Sequence, residues 1–168
     1  MVANAAMPRA SGGILQLALG IVFKRILVVC VGNICRSPTA EYLLRHRLSS
    51  AGASIESAGL GALVGKPMDA TAMQLLSEHG VDASAHQARQ LTPTMLREAD
   101  LVLAMERDHV ARMMRMAPEA SGKVMLLDRW VQGEDVADPY RQSREAFEHV
   151  YEMIERAVSA WLPYLRDS

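Results

Sequence analysis

The chain has 168 residues, one domain's length, enough to bury roughly two thirds of its unfolded surface in a self-sufficient core. Its 18 Lys and Arg nearly balance 19 Asp and Glu with no run of like charge, so neither nucleic acid nor an anionic membrane surface is implied as a partner. Two cysteines only, Cys30 and Cys35, exclude a secreted disulfide framework and point to a reducing cytoplasm, where thiols are kept for chemistry.

At the start, Arg9 precedes an apolar run from Ile14 to Phe23 that is too short to span a bilayer and ends in Lys24-Arg25 without an Ala-x-Ala cleavage site. Residues 1–21 are therefore expected to form an extension outside the core, disordered or weakly helical, with the folded domain over 22–168. Ile26 to Val29 reads as a first strand. Ser37 then predicts a helix N-cap with Pro38 at the first helical position, and the helix is expected to run to about Ser50 before Gly52. Ser54 to Ser57 is the second expected strand, followed by a helix over Met68 to His79 closing on Gly80. A short helix from Pro93 to Ala99 leads into the third strand, Leu101 to Ala104. Glu106 to Met116 predicts a helix that stops before Pro118, and Lys123 to Leu127 predicts the fourth strand. From about Ser143 to Leu162, Phe147, Val150, Ile154 and Val158 recur at helical spacing and mark a core-facing stripe. Strands alternating with helices predict an α/β single domain, a four-stranded parallel sheet with helices on both faces.

The chemistry concentrates in Cys30-Val31-Gly32-Asn33-Ile34-Cys35-Arg36-Ser37-Pro38, between a strand and a helix start. A loop entering a helix aims several backbone N–H groups at one point, and the helix dipole adds positive charge there, which favours a phosphate dianion. Gly32 and Asn33 suit backbone angles that a β-carbon resists. Arg36 adds a planar, permanent charge that can hold two phosphoryl oxygens. Cys30, at the strand end, would lie at the base of the cradle in a field that favours its thiolate. Cysteines in such settings ionise with pKa values of roughly 3.5 to 7.5, against ~8.5 for a free thiol. Nothing predicts a metal site, since no second Cys or His pair stands at zinc-like spacing and the five histidines are scattered. Gly59-Leu60-Gly61 with Gly65-Lys66 satisfies neither a dinucleotide nor a Walker pattern, and Pro67 occupies the place where the latter needs Ser or Thr. On the residues alone, Asp138-Pro139-Tyr140 reads as a turn, because aspartate before proline is common turn chemistry.

The cysteine loop together with Asp138-Pro139-Tyr140 resembles the low-molecular-weight protein tyrosine phosphatase family over essentially the whole chain from Val22. The resemblance implies Cys30 as nucleophile, Arg36 as phosphoryl clamp, Ser37 as hydrogen-bond partner of the thiolate and Asp138 as proton donor. Val31, Gly32, Asn33, Ile34 and Cys35 would complete the phosphate cradle. It also implies that Ser57 and His86 brace Asn33; on the residues alone each reads equally well as a buried polar group satisfied by some neighbour. The stretch around Leu60 would form a pocket wall, with Leu60 where eukaryotic members tend to carry an aromatic, and Tyr140 would face the substrate ring. No metal or organic cofactor is implied. Ser57 through Lys66 and Asp138 through Ser143 look most like the bacterial subgroup associated with exopolysaccharide and capsule export, which implies a cytoplasmic enzyme acting on an autophosphorylating tyrosine kinase. Arsenate reductases share the fold but need further cysteines after Cys35. Protein arginine phosphatases carry Thr where Ile34 stands. A non-catalytic phosphate-binding or redox-sensing module is the rival outside enzymes.

Overall fold

The structure is a computed structural model in which residues 23–49 and 52–166 are described. The expected extension over residues 1–21 lies outside the described residues. Four strands, β1 (Arg25–Cys30), β2 (Ser54–Gly59), β3 (Leu101–Ala104) and β4 (Val124–Leu126), pair in the order β2-β1-β3-β4, all parallel. Five α-helices connect or follow them: α1 (Arg36–Arg47), α2 (Ala70–Glu78), α3 (Pro93–Glu98), α4 (Arg107–Met116) and α5 (Arg144–Leu165).

Both faces of the sheet are covered, as strands buried on two sides require. Along β1, Ile26, Val28 and Cys30 point into one apolar cluster and Leu27 and Val29 into the other. The first cluster receives Leu43 and Leu44 of α1, Leu75 and Leu76 of α2, and the predicted stripe Phe147, Val150, Ile154 and Val158 of α5. The second is closed by Leu96 of α3 and Met113 of α4. Trp161 is fully buried, and its indole N–H donates to the Leu127 carbonyl at 2.7 Å, tying α5 to the turn that follows β4.

Helix boundaries follow local chemistry, with instructive departures. Asp69 caps α2 by accepting from the N–H groups of Thr71 and Ala72, so the helix begins two residues later than the apolar pattern at Met68 predicts. Its end is the expected one. Gly80 at φ 77° donates to Ser77 while Val81 donates to Leu76, a glycine-terminated closing turn. Thr92 caps α3 and Ser143 caps α5 as side-chain acceptors. The predicted Ser37 cap of α1 does not form. Cys35 is the cap residue, Arg36 begins the helix, and the Ser37 hydroxyl is engaged elsewhere. α1 also ends at Arg47 rather than near Ser50, and α5 runs on through Pro163 to Leu165. A proline in the last turn removes one hydrogen bond there without interrupting a longer ladder. Two 3₁₀ turns, Pro118–Lys123 and Leu127–Trp130, flank β4, which they shorten at both ends relative to expectation. Among the described residues, no helix is long and apolar enough to cross a membrane.

Candidate active site

Because the strands are parallel, their C-terminal ends share one edge of the sheet, the place where open α/β sheets carry their sites. Cys30 ends β1 there, and residues 31–35 turn into the N-terminus of α1. A pocket of about 200 Å³ opens on this edge. It is lined by Cys30, the loop from Val31 to Cys35, Arg36, Gly61, Leu63, Asp138 and Tyr140. The volume is below the roughly 300–1,000 Å³ of drug-sized ligand sites and suits a single side chain. Three segments distant in sequence thus meet: the cysteine loop, the loop after β2, and Asp138-Pro139-Tyr140.

The floor is ordered by a chain of buried polar groups. Ser57 donates its only proton to the buried carboxylate of Glu41. The Asn33 amide nitrogen therefore donates to Ser57 Oγ (2.9 Å) and, with its other hydrogen, to Ser37 Oγ (2.8 Å). Its Oδ1 accepts the Arg89 backbone N–H at 2.9 Å, which fixes which way the amide faces. Ser37 Oγ, which accepts from Asn33, lies 2.9 Å from Cys30 Sγ and has its own proton to give to a sulfur that has lost one. An O–H aimed at sulfur complements a thiolate, which has no proton to offer in return. His86 Nε2 lies 2.7 Å from the Asn33 carbonyl and must be the donor, because a carbonyl only accepts. Ser57 and His86 thus both hold Asn33, whose φ of 59° puts it in the left-handed region that asparagine tolerates.

Glycine is needed elsewhere than the sequence suggests. Gly32 does not adopt a positive φ, and a β-carbon there would meet only Ile34 Cγ1 at 3.7 Å. At Gly59 a β-carbon would collide with the Val31 carbonyl oxygen and stand 3.1 Å from Asn33 Cβ. This close approach lets Leu60, Gly61 and Leu63 donate their N–H groups to the carbonyls of Cys30, Val31 and Gly32, at 2.9, 3.0 and 3.0 Å. With those carbonyls engaged on the outside, the cradle's wall and floor form one unit. Gly59→Ala should cost about 1–3 kcal/mol, as overpacking does, and lower kcat severalfold. A thermal melt and a steady-state assay check this; an unchanged melt would mean that β2 can retreat.

Arg36 is almost fully buried. Its Nη1 donates to Glu106 and, at 2.8 Å, to the Val136 carbonyl, while Nη2 lies 3.7 Å from Asp138 Oδ2. Nε and Nη2 have no hydrogen-bond acceptor among the described residues, so they are available to an oxyanion in the pocket. Glu106 was not singled out in the sequence. Its signal was its place directly after β3, at the same strand edge as Cys30. Behind it lies buried His109, with Nε2 3.8 Å from Glu106 Oε2. Burial and the Arg36 charge depress the His109 pKa, while Glu106 opposes them.

The two thiols differ in setting. Burial, reinforced by the Asp69 carboxylate, raises the Cys35 pKa far above the usual thiol range, which keeps it protonated. Asp138 is exposed at the mouth and accepts the Tyr140 N–H at 3.1 Å. Tyr140 lines the pocket, but Leu60 does not: its side chain packs in the second apolar cluster, and Leu63, three residues on, takes the lining position. β2 continues to Gly59, and the chain turns at Leu60, so the wall begins later than the sequence motif suggests.

A cysteine, a buried arginine and a loop at a helix N-terminus line one pocket, an arrangement whose chemistry suits an oxyanion. A family profile described as low molecular weight phosphotyrosine protein phosphatase matches residues 25–168, and the chain belongs to that family and is a protein-tyrosine-phosphatase. It is 51% identical over 139 residues to the low molecular weight protein-tyrosine-phosphatase Etp of Escherichia coli K12, covering 83% of this chain and 93% of that one. The crystal structure of the Erwinia amylovora tyrosine phosphatase AmsI matches with a TM-score of 0.81 at 47% identity, over 85% of this chain and 93% of the other. Vibrio vulnificus Wzb in complex with benzylphosphonate matches with a TM-score of 0.79, also at 47% identity, over 83% and 97%.

Proposed function

We propose that this chain hydrolyses protein phosphotyrosine through a phosphocysteine intermediate. The observation that carries the reading is the convergence of Cys30, Arg36 and Asp138 on one pocket sized for a side chain, with the Ser37 hydroxyl 2.9 Å from the Cys30 sulfur. In the first step the Cys30 thiolate attacks phosphorus, the bond to the tyrosyl oxygen breaks, and Asp138 gives that oxygen a proton. Arg36 and the loop N–H groups of residues 31–36 follow the charge on the phosphoryl oxygens. In the second step the Asp138 carboxylate takes a proton from water, the water oxygen attacks phosphocysteine, and phosphate leaves as the Cys30 thiolate is restored.

The physiological substrate we infer is an autophosphorylated tyrosine kinase of bacterial polysaccharide export, met in the cytoplasm. Likeness to Etp, Wzb and AmsI supports this, as does the sequence resemblance over Ser57 to Lys66. Ile34 at the pocket favours phosphotyrosine over phosphoarginine, and the want of any cysteine after Cys35 leaves no downstream thiols for arsenate reduction. Purified protein should release phosphate from phosphotyrosine peptides at least tenfold faster than from phosphoserine or phosphoarginine peptides and should not reduce arsenate. A preference for phosphoarginine would replace this reading with its nearest rival.

A further inference from the structure

Apart from glycines, two described residues have positive φ, one lining this pocket and one beside it. One is Asn33, in the cradle. The other is Arg141, at φ 62° directly after Tyr140. Gln142 donates to the Pro139 carbonyl at 2.9 Å, so Pro139 to Gln142 form a β-turn with Arg141 at its third position. Positive φ there is the signature of a type II turn, which favours glycine. An arginine is held there against its own backbone preference, and an outlier of this kind at the mouth of a site points to a task for the side chain.

The side chain is free for one. The Arg141 guanidinium lies over the Tyr140 ring, 5.1 Å from its centroid, while Tyr140 itself lines the pocket. No carboxylate among the described residues comes within ion-pair distance of Arg141, in contrast to Arg36 inside the same site, which is paired with Glu106. None of its side-chain N–H groups donates to a described residue. Stacking on an aromatic face orients the guanidinium plane and leaves its edge, which carries the donors, uncovered. Leu63, which also lines the pocket, and its chain neighbour Val64 are exposed apolar residues, while Asp138 at the mouth is acidic.

We propose that Arg141 is a specificity-determining residue that reads a second anionic group, a carboxylate or a phosphate, beside the phosphotyrosine on the substrate chain. The proposal rests on the pocket's reading as a phosphotyrosine site and adds a preference outside it. A planar fork at the rim matches such an anion bidentately, and the Tyr140 stack pre-orients the fork before the substrate arrives.

The test compares phosphotyrosine peptides whose flanking positions carry Ala, Lys, Glu or a second phosphotyrosine, using the full chain and its Arg141→Gly and Arg141→Lys variants. For the unmodified protein, kcat/KM should be about three- to tenfold higher with either anionic flank than with Ala, and the gap should close at high salt, as an exposed charge pair requires. A larger gain with the second phosphotyrosine than with Glu identifies phosphate as the anion, and the reverse identifies carboxylate. Arg141→Gly should lose the preference yet melt at the same or a higher temperature, since glycine suits the turn. Arg141→Lys should keep part of it. Rates on both anionic peptides no higher than on the Ala-flanked one, or a preference that survives Arg141→Gly, overturns the assignment while leaving the pocket's reading intact. Failure to turn over any phosphotyrosine peptide, neutral ones included, would remove that reading and this one with it.

Discussion

Replacing Cys30 by serine is expected to abolish turnover, by about four orders of magnitude or more, while leaving oxyanion binding largely intact. The hydroxyl is close in size to the thiol, so the cradle, the Asn33 braces and Arg36 with its free donors should persist. What is lost is the nucleophile, because an alcohol at neutral pH has no anion comparable to a thiolate. Cys35→Ser provides the contrast. Its thiol is buried at the cap of α1 and held protonated by burial and Asp69, so the substitution should touch packing rather than chemistry. Steady-state assays with phosphate or vanadate binding measured by calorimetry decide the matter. Equally damaging substitutions would leave the nucleophile unassigned.

The second large effect belongs to Asp138. Asp138→Asn should slow the first step with phosphotyrosine by roughly 100- to 10,000-fold and slow an activated aryl phosphate much less. Tyrosine leaves as a phenolate whose conjugate acid has a pKa near ~10, so a proton delivered during bond breaking matters. A weakly basic leaving group needs little such help. Asparagine keeps the shape of the carboxyl group and can still accept the Tyr140 N–H, which isolates the proton from the turn. Single-turnover rates are required, since the same carboxylate serves as base in the second step and could mask the first. Equal losses for both leaving groups would make Asp138 structural.

Sequence reasoning reached those parts of the molecule that local chemistry dictates. The four strands, the five helices and the sheet class follow from apolar periodicity and from punctuation such as Gly80 and Pro93, because these signals are contained within a few neighbouring residues. The cysteine loop was legible for the same reason. Contacts between distant segments were not. That Ser37 serves Cys30 rather than the helix end was implied by the family resemblance and by no local pattern, since it depends on Asn33 being turned by Ser57 and Arg89, 24 and 56 residues away. That Gly59, not Gly32, is the position without room for a side chain depends on how closely β2 approaches the loop. Glu106 reveals itself only when β3 is known to lie beside β1. Leu60 and Leu63 exchange roles because β2 extends two residues beyond its predicted end.

The hydrogen bond from Arg36 to the Val136 carbonyl joins residues 100 apart in the chain. Such a closure is entropically expensive to form early, so it belongs among the last contacts made when the polypeptide refolds. A partly folded molecule could own a finished β1 and a helical α1 and still lack the clamp. Enzymatic activity is therefore expected to track the closed structure rather than the formation of β1 and α1 alone.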